Sequence, residues 1–172
     1  MPITHRSAER ARTDRHRLIA FCGGALLVGL IDAVSKFALW STWSQGAVRD
    51  SFGVLRFHLH QNTGFMLGIG SSLDLQYRSL LLSAVTALVL LGLIAYLLYR
   101  GFTRIDLALA WGAVVGSAAA NLIERMRVGA VTDFLQLDLG GLQTGIFNLA
   151  DLFNLLGLCY IATTILFRNR AL

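Results

Sequence analysis

Four long apolar runs constrain this chain more than any other feature. They cover roughly Leu18–Trp40, Ser79–Tyr99, Ile105–Ile123 and Ile146–Phe167. Each is close to the ~20 residues a helix needs to cross a hydrocarbon layer about 30 Å thick. Lipid offers the backbone no hydrogen bonds, so runs of this kind must satisfy their own amides as helices. The sole proline is Pro2, so none of the four is interrupted by one. The 172 residues suit one domain, 1–172, and the expected class is mainly α and integral to a membrane, with four transmembrane helices. Charge agrees: only 15% of residues are charged, against about 25% in soluble domains.

Arginine placement sets the orientation. Arg6, Arg10, Arg12, Arg15 and Arg17 precede the first run, Arg100 and Arg104 join the second and third, and Arg168 and Arg170 follow the fourth. The two longer connections, about 41–78 and 124–145, hold only Arg49, Arg56, Arg78, Arg125 and Arg127. The excess of basic residues marks the cytoplasmic side. Both termini are therefore expected inside, with residues 1–17 as an Arg-rich cytoplasmic tail that also attracts anionic lipid. The net charge of +5 is spread over these clusters, so no nucleic-acid surface is expected. The Arg-rich start followed by Leu18–Leu30 has the outline of a secretory signal. No small-residue cleavage site follows, and the large Phe21 precedes Cys22, unlike a lipid-attachment box. The run reads instead as a retained first helix.

The outer connections carry structure of their own. Leu55-Arg56-Phe57-His58-Leu59-His60 alternates apolar and polar residues, as does Val131 to Leu139, and both read as half-buried strands. Gly140-Gly141 reads as a turn. A small extracytoplasmic sheet built from the two outer loops is predicted. Trp40 and Trp43 fit an interfacial belt. His58 and His60 share one strand face but lack a third ligand, so they read as a solvated face rather than a metal site. Cys22 and Cys159 lie in apolar runs and read as buried small hydrophobes. Phe52, Phe57 and Phe65 read as interfacial packing.

Ionisable residues within membrane helices are costly and point to function. Asp32 and Lys36 are i,i+4 neighbours in the outer half of helix 1, placed either for a structural ion pair or to support a site. Asp133 follows helix 3, and Asp151 lies about one turn into helix 4. The topology thus brings three acids to similar depth near one interface. Three readings of that convergence are open: catalysis, a proton or cation pathway, and a polar helix-packing network. Two close carboxylates cannot both ionise cheaply, so one retains a proton. Such a pair can activate water as a base and polarise a carbonyl as an acid.

Several motifs carry a resemblance to a known family. Asn121-Leu122-Ile123-Glu124-Arg125 with Gly129-Ala130-Val131-Thr132-Asp133-Phe134, and Phe147-Asn148-Leu149-Ala150-Asp151, resemble the two aspartate motifs of signal peptidase II. Asp32 with Ser35-Lys36 is similar to its first-helix signature, and Gln61-Asn62-Thr63-Gly64 with Gly68 to its Asn-x-Gly motif. The likeness spans nearly the whole chain, in order. It implies an aspartic endopeptidase that removes signal peptides from diacylglyceryl-modified prolipoproteins at the outer face of the bacterial cytoplasmic membrane, as a monomer among membrane lipids, with no metal or organic cofactor. Asp133 and Asp151 take the catalytic positions, and Asp32, Lys36, Asn62, Gly64, Asn121, Arg125 and Asn148 the supporting or substrate-binding ones. Arg125 reads either as a snorkelling interface residue or as a partner of a carboxylate or of loop 1 carbonyls. Asn148 reads as a helix cap and a support for Asp151.

This chain departs from the family's pattern at Phe65, Met66 and Leu67, which are larger than usual. Glu124 stands for the usual Asp before Arg125, and Gln136 where an acid is frequent. Ser117 and Ala120 replace common glycines, which predicts looser helix packing there. The alternative functions are a catalytically silent paralogue that binds lipoprotein or an inhibitor, and a proton-coupled transporter.

Overall fold

The computed structural model describes residues 3–42, 51–64 and 74–168. Trp43, Arg49, Phe65, Met66, Leu67 and Gly68 lie outside the described residues. The elements run α1 (Ile3–Thr42), β1 (Ser51–Phe52), β2 (Leu55–Asn62), α2 (Leu75–Arg100), α3 (Ile105–Val128), β3 (Val131–Leu137) and α4 (Leu149–Arg168). All four helices are long and apolar enough to cross a membrane. The fold is the expected one: a helical membrane bundle with a small sheet from two connections. α1 reaches further than its apolar run, because the Arg-rich stretch ahead of residue 18 continues the same helix. Its 40 residues extend about 60 Å at 1.5 Å each, twice a hydrocarbon layer.

Local chemistry sets the start of α2 and the end of α3. The Asp74 side chain accepts from the Gln76 N–H at 3.0 Å and starts α2. Gly129 stops α3 in the left-handed region, at φ 79°, its N–H bonded to the Arg125 carbonyl. α3 is the central helix and packs on α1, α2 and α4. The approach to α1 is backbone on backbone: a Cβ on Gly112 would lie 2.1 Å from the Phe21 carbonyl oxygen, and one on Gly116 2.3 Å from that of Ala25. Gly157 of α4 is approached less tightly by α3: a Cβ there would lie 2.9 Å from a Val114 methyl and 3.1 Å from the Ala110 carbonyl oxygen. Packing is therefore tight despite Ser117. That side chain is buried and returns its hydroxyl to the Ala113 carbonyl at 2.7 Å.

Outer helix faces are apolar and exposed, as Leu80, Leu88, Leu91 and Leu98 of α2 show. An apolar surface this continuous suits lipid rather than water. Cys22 and Cys159 are exposed on these faces, which corrects their reading as buried residues. A thiol is apolar enough to face lipid chains as readily as a core.

The sheet has the order β1-β2-β3, antiparallel throughout, with β1 turning into β2 at Gly53. β2 pairs with β3 from Leu55↔Leu137 to Phe57↔Leu135, then from His60↔Asp133 to Asn62↔Val131. Between the two stretches β2 has one residue more than β3, which is a bulge. The bulge separates the histidines: His58 is half-buried, while His60 is exposed. The shared-face reading of these two residues is thereby corrected. The other edge of β3 is held by Phe147, whose carbonyl accepts from the N–H groups of Phe134 and Leu135. That bridge lays the chain entering α4 alongside β3.

Candidate active site

β3 carries Asp133, and Asn148 follows the Phe147 bridge directly, so the strand pairing brings the two residues together. The Asn148 Nδ2 donates to Asp133 Oδ1 at 2.7 Å. Asn148 also starts α4. Its Oδ1 accepts from the Asp151 N–H at 2.9 Å, and Asp151 Oδ2 accepts from the Asn148 N–H at 3.2 Å. This reciprocal arrangement is a capping box with aspartate in the third position. One asparagine thus touches both carboxylates.

The remaining acceptors are filled from other elements. Asn62, at the end of β2, donates from Nδ2 to Asp133 Oδ2 at 2.9 Å. Its Oδ1 accepts from the Gly64 N–H at 3.1 Å, and its carbonyl accepts from Arg125 Nη2 at 3.4 Å. Asn121 of α3 donates from Nδ2 to Asp151 Oδ1 at 2.9 Å. Its Oδ1 accepts from Lys36 Nζ at 3.0 Å and from Asn148 Nδ2 at 3.2 Å. The amide orientations follow from chemistry. A backbone N–H or an ammonium faces each amide oxygen, so each NH2 must face a carboxylate.

Behind this layer lies a buried ionic one. Lys36 Nζ donates to the Asn121 oxygen and forms ion pairs with Asp32 Oδ2 at 2.6 Å and Glu124 Oε2 at 2.8 Å. Asp32 Oδ1 accepts from the Ala150 N–H at 3.0 Å, so α1 also caps α4. Glu124 Oε1 accepts from the Thr132 N–H at 3.1 Å and from its hydroxyl at 2.6 Å. Asp32, Asp133 and Asn148 are 1%, 2% and 0% exposed. Burial in turn pushes the Asp133 carboxyl up to about 6. The Asn62 and Asn148 donors and the Lys36 charge oppose that shift, while the Asp151 charge adds to it.

All nine residues singled out in the sequence, Asp133, Asp151, Asp32, Lys36, Asn62, Gly64, Asn121, Arg125 and Asn148, belong to one connected network. Four further members, Thr132, Trp40, Gln61 and Glu124, were not foreseen as part of the site. Thr132 accepts from Trp40 Nε1 at 3.0 Å and from Gln61 Nε2 at 3.3 Å. Trp40 is therefore a hydrogen-bond donor to the site's strand as well as an interfacial ring. Glu124 links that strand to Lys36. The alternation around Asp133 places Thr132 on the opposite strand face, but only the fold supplies its partners. Among the described residues no cluster of His, Cys, Asp and Glu is arranged to hold a metal ion.

Fold and composition define a multi-pass membrane protein whose two close carboxylates sit at one end of the bundle. Residues 24–167 match the family of signal peptidase (SPase) II. The lipoprotein signal peptidase of Burkholderia vietnamiensis is 34% identical over 136 residues, 78% of this chain and 80% of that protein. The Aquifex aeolicus lipoprotein signal peptidase is 32% identical over 150 residues, 86% of each. A bacterial membrane enzyme solved by the in meso method at 2.3 Å shares the fold. Its TM-score is 0.73 at 24% identity, over 85% of this chain and 87% of the other. The chain belongs to the signal peptidase II family and is a peptidase by that membership.

Proposed function

We propose that this protein is a membrane aspartic endopeptidase that removes the signal peptide from diacylglyceryl-modified prolipoproteins, with Asp133 and Asp151 as its catalytic pair. The observation that carries this reading is the shared asparagine. Asn148 bonds to both carboxylates, and among the described residues neither the buried Asp133 nor the half-buried Asp151 has a cation in direct contact. Its relatives' names supply the substrate class.

The pair titrates as a unit. Asp133, raised to about 6, holds the shared proton. Asp151, in the first turn of α4 where the helix end favours negative charge and the Asn148 N–H meets its Oδ2, is the ionised member. The Asp151 carboxylate takes a proton from water as the water oxygen adds to the scissile carbonyl carbon. Protonated Asp133 donates a hydrogen bond to the carbonyl oxygen, which becomes the hydroxyl of the tetrahedral intermediate. Collapse breaks the C–N bond. The leaving amine takes the proton held by Asp151, and the other proton returns to the pair. Among the described residues Arg125 Nε, buried beside Asn62, has no partner, which leaves it available to a substrate carbonyl.

Both termini face the cytoplasm in this reading, and the sheet and the pair face outward. Substrate arrives laterally from the bilayer. A groove of about 630 Å³ between α2 and α3 suits such entry: Leu80, Ala84 and Met126 line its apolar part, and Thr63, Arg125 and Gly129 its end near the pair. Lipid chains stay in this apolar part while the bond before the modified cysteine reaches the carboxylates. The free enzyme needs one proton on the pair, so kcat/KM is expected to fall as pH rises through about 6.

The test uses purified protein, a diacylglyceryl-modified prolipoprotein, and the variants Asp133→Asn and Asp151→Asn. Wild type should cleave and both variants should not. Cleavage surviving either change would sink the pair assignment, and a folded wild type that does not cleave would favour a silent paralogue.

A further inference from the structure

Asp133 is held on one face of β3 by Asn62 and Asn148. The preceding residue, Thr132, points to the opposite face, as successive strand residues must. It is fully buried, and its hydroxyl has no spare capacity. The hydroxyl donates to Glu124 Oε1 at 2.6 Å and accepts from Trp40 Nε1 at 3.0 Å and Gln61 Nε2 at 3.3 Å. One donor and two lone pairs are all that a hydroxyl owns. Glu124 Oε1 also takes the Thr132 N–H at 3.1 Å, and Oε2 of the same residue forms an ion pair with Lys36 at 2.8 Å.

The backbone pattern explains why this grip matters. Phe147 holds the outer edge of β3 only at Phe134 and Leu135. The first residues of the strand lie beyond that bridge, one short turn after α3 ends at Gly129. There the Glu124 carboxylate takes the place of a neighbouring strand. It fixes the height of Thr132 against α3, which also sends Asn121 to Asp151 and Arg125 to Asn62.

We propose that Glu124, acting through Thr132, is a positioning residue for Asp133: it fixes the start of β3 so that the Asp133 carboxylate meets Asn62, Asn148 and Asp151. This inference rests on the catalytic pair proposed above. Glu124 and Thr132 touch no substrate and act only through the strand. Catalysis is sensitive to such placement, because a shift of ~1 Å can cost about a hundredfold in rate.

The experiment uses the full chain, the lipid-modified prolipoprotein, and Thr132→Val, Thr132→Ser and Glu124→Gln. Valine keeps the shape and removes the hydroxyl; serine keeps the hydroxyl. A glutamine oxygen turned to Thr132 leaves its NH2 against the Lys36 ammonium, and the reverse orientation turns NH2 toward the Thr132 donors. Thr132→Val and Glu124→Gln should each lower kcat at least tenfold with KM within about twofold of wild type, while Thr132→Ser stays near wild type. Their double variant should fall little below the worse single, because both break one path.

A smaller active fraction would also lower kcat, so the pH profile decides. An Asp133 displaced from its Asn62 and Asn148 donors holds its proton more tightly. Asp151, Lys36, Glu124 and Arg125, the charged groups around it, are unchanged in Thr132→Val. The alkaline limb of kcat/KM should therefore move up by about half a pH unit or more in Thr132→Val and stay in place in Thr132→Ser. A Thr132→Val limb at the wild-type position overturns the proposal, as does a serine variant that matches valine. Asp133→Asn is the control. Cleavage by it overturns the pair itself, whereas its silence beside an unmoved Thr132→Val limb overturns the positioning alone. Should Thr132→Val not fold, the kcat and KM of Glu124→Gln and Thr132→Ser decide by the same limits.

Discussion

Replacing Asp133 by asparagine should do opposite things to activity and to high-pH stability. The Asp133 carboxyl is raised from 3.8 to about 6, chiefly by burial. A group raised in the folded state favours folding below its unfolded pKa, and that contribution is lost as pH rises through the folded value. The full shift is about two units at roughly 1.4 kcal/mol each, and about 2 kcal/mol of it is lost between pH 4 and pH 7, because the unfolded carboxyl already titrates near pH 4. Asparagine cannot ionise and escapes that loss. It has one acceptor oxygen where Asp133 uses two, for Asn148 at 2.7 Å and Asn62 at 2.9 Å. One of those donors goes unmet, at a cost of about 1–3 kcal/mol at every pH. Asp133→Asn should therefore be less stable than wild type at pH 4 and equal or more stable at pH 8. The difference swings by about 2 kcal/mol. Unfolding of both proteins in one detergent across this range measures the swing. Parallel stability curves would show that Asp133 is not held at a desolvation cost.

Three further outcomes follow from the same network. Lys36→Met leaves the buried Asp32 and the half-buried Glu124 without their cation, and should cost about 3–5 kcal/mol in unfolding free energy; a loss below about 1 kcal/mol would refute the ionic layer. Gly116→Ala puts a Cβ against the Ala25 carbonyl, so α1 must back away from α3. A loss of about 1–3 kcal/mol is expected, with cleavage impaired because Asp32 and Lys36 ride on α1; unfolding midpoints and cleavage rates at wild-type level would contradict the close approach. Asn148→Ser keeps an acceptor to cap α4 but removes the donor to Asp133 and Asn121. Its fold should persist by circular dichroism while cleavage falls at least tenfold.

The membrane fold was legible because lipid removes alternatives. An apolar run long enough to span must be a helix, whatever its propensities. The strands were legible from alternation, yet the bulge between Phe57 and His60 was not. An extra residue leaves each local pattern intact and changes only the pairing partner, so the two histidines separate without any local sign. The cysteines failed for a different reason. Apolar surroundings in sequence do not distinguish a core from lipid, and only the packing of α1 and α4 on α3 decides which faces remain outside. Looser packing was expected from Ser117 and Ala120, but the close approach is made at Gly112 and Gly116, roughly 100–140° around the helix from Ser117 at about 100° per residue.

The site was legible to the extent that its residues are costly where they stand. Asp32, Lys36 and Asp151 declare themselves inside apolar helices. Thr132, Trp40 and Glu124 do not, because threonine in a strand, tryptophan at an interface and glutamate at a helix end are ordinary choices. Their significance lies in their partners. The start of α4 shows why fold and site cannot be separated. Three of its first four N–H groups, those of Asn148, Ala150 and Asp151, are bound by Asp151, Asp32 and Asn148. These are the groups that a helix end must satisfy in any case, most of all where water is scarce. Asp32, Asn148 and Asp151 are thus held in place by bonds that folding itself requires. The pair needs no separate scaffold to orient Asp151, because α4 cannot begin properly unless Asp151 faces Asn148, and Asn148 in that pose faces Asp133.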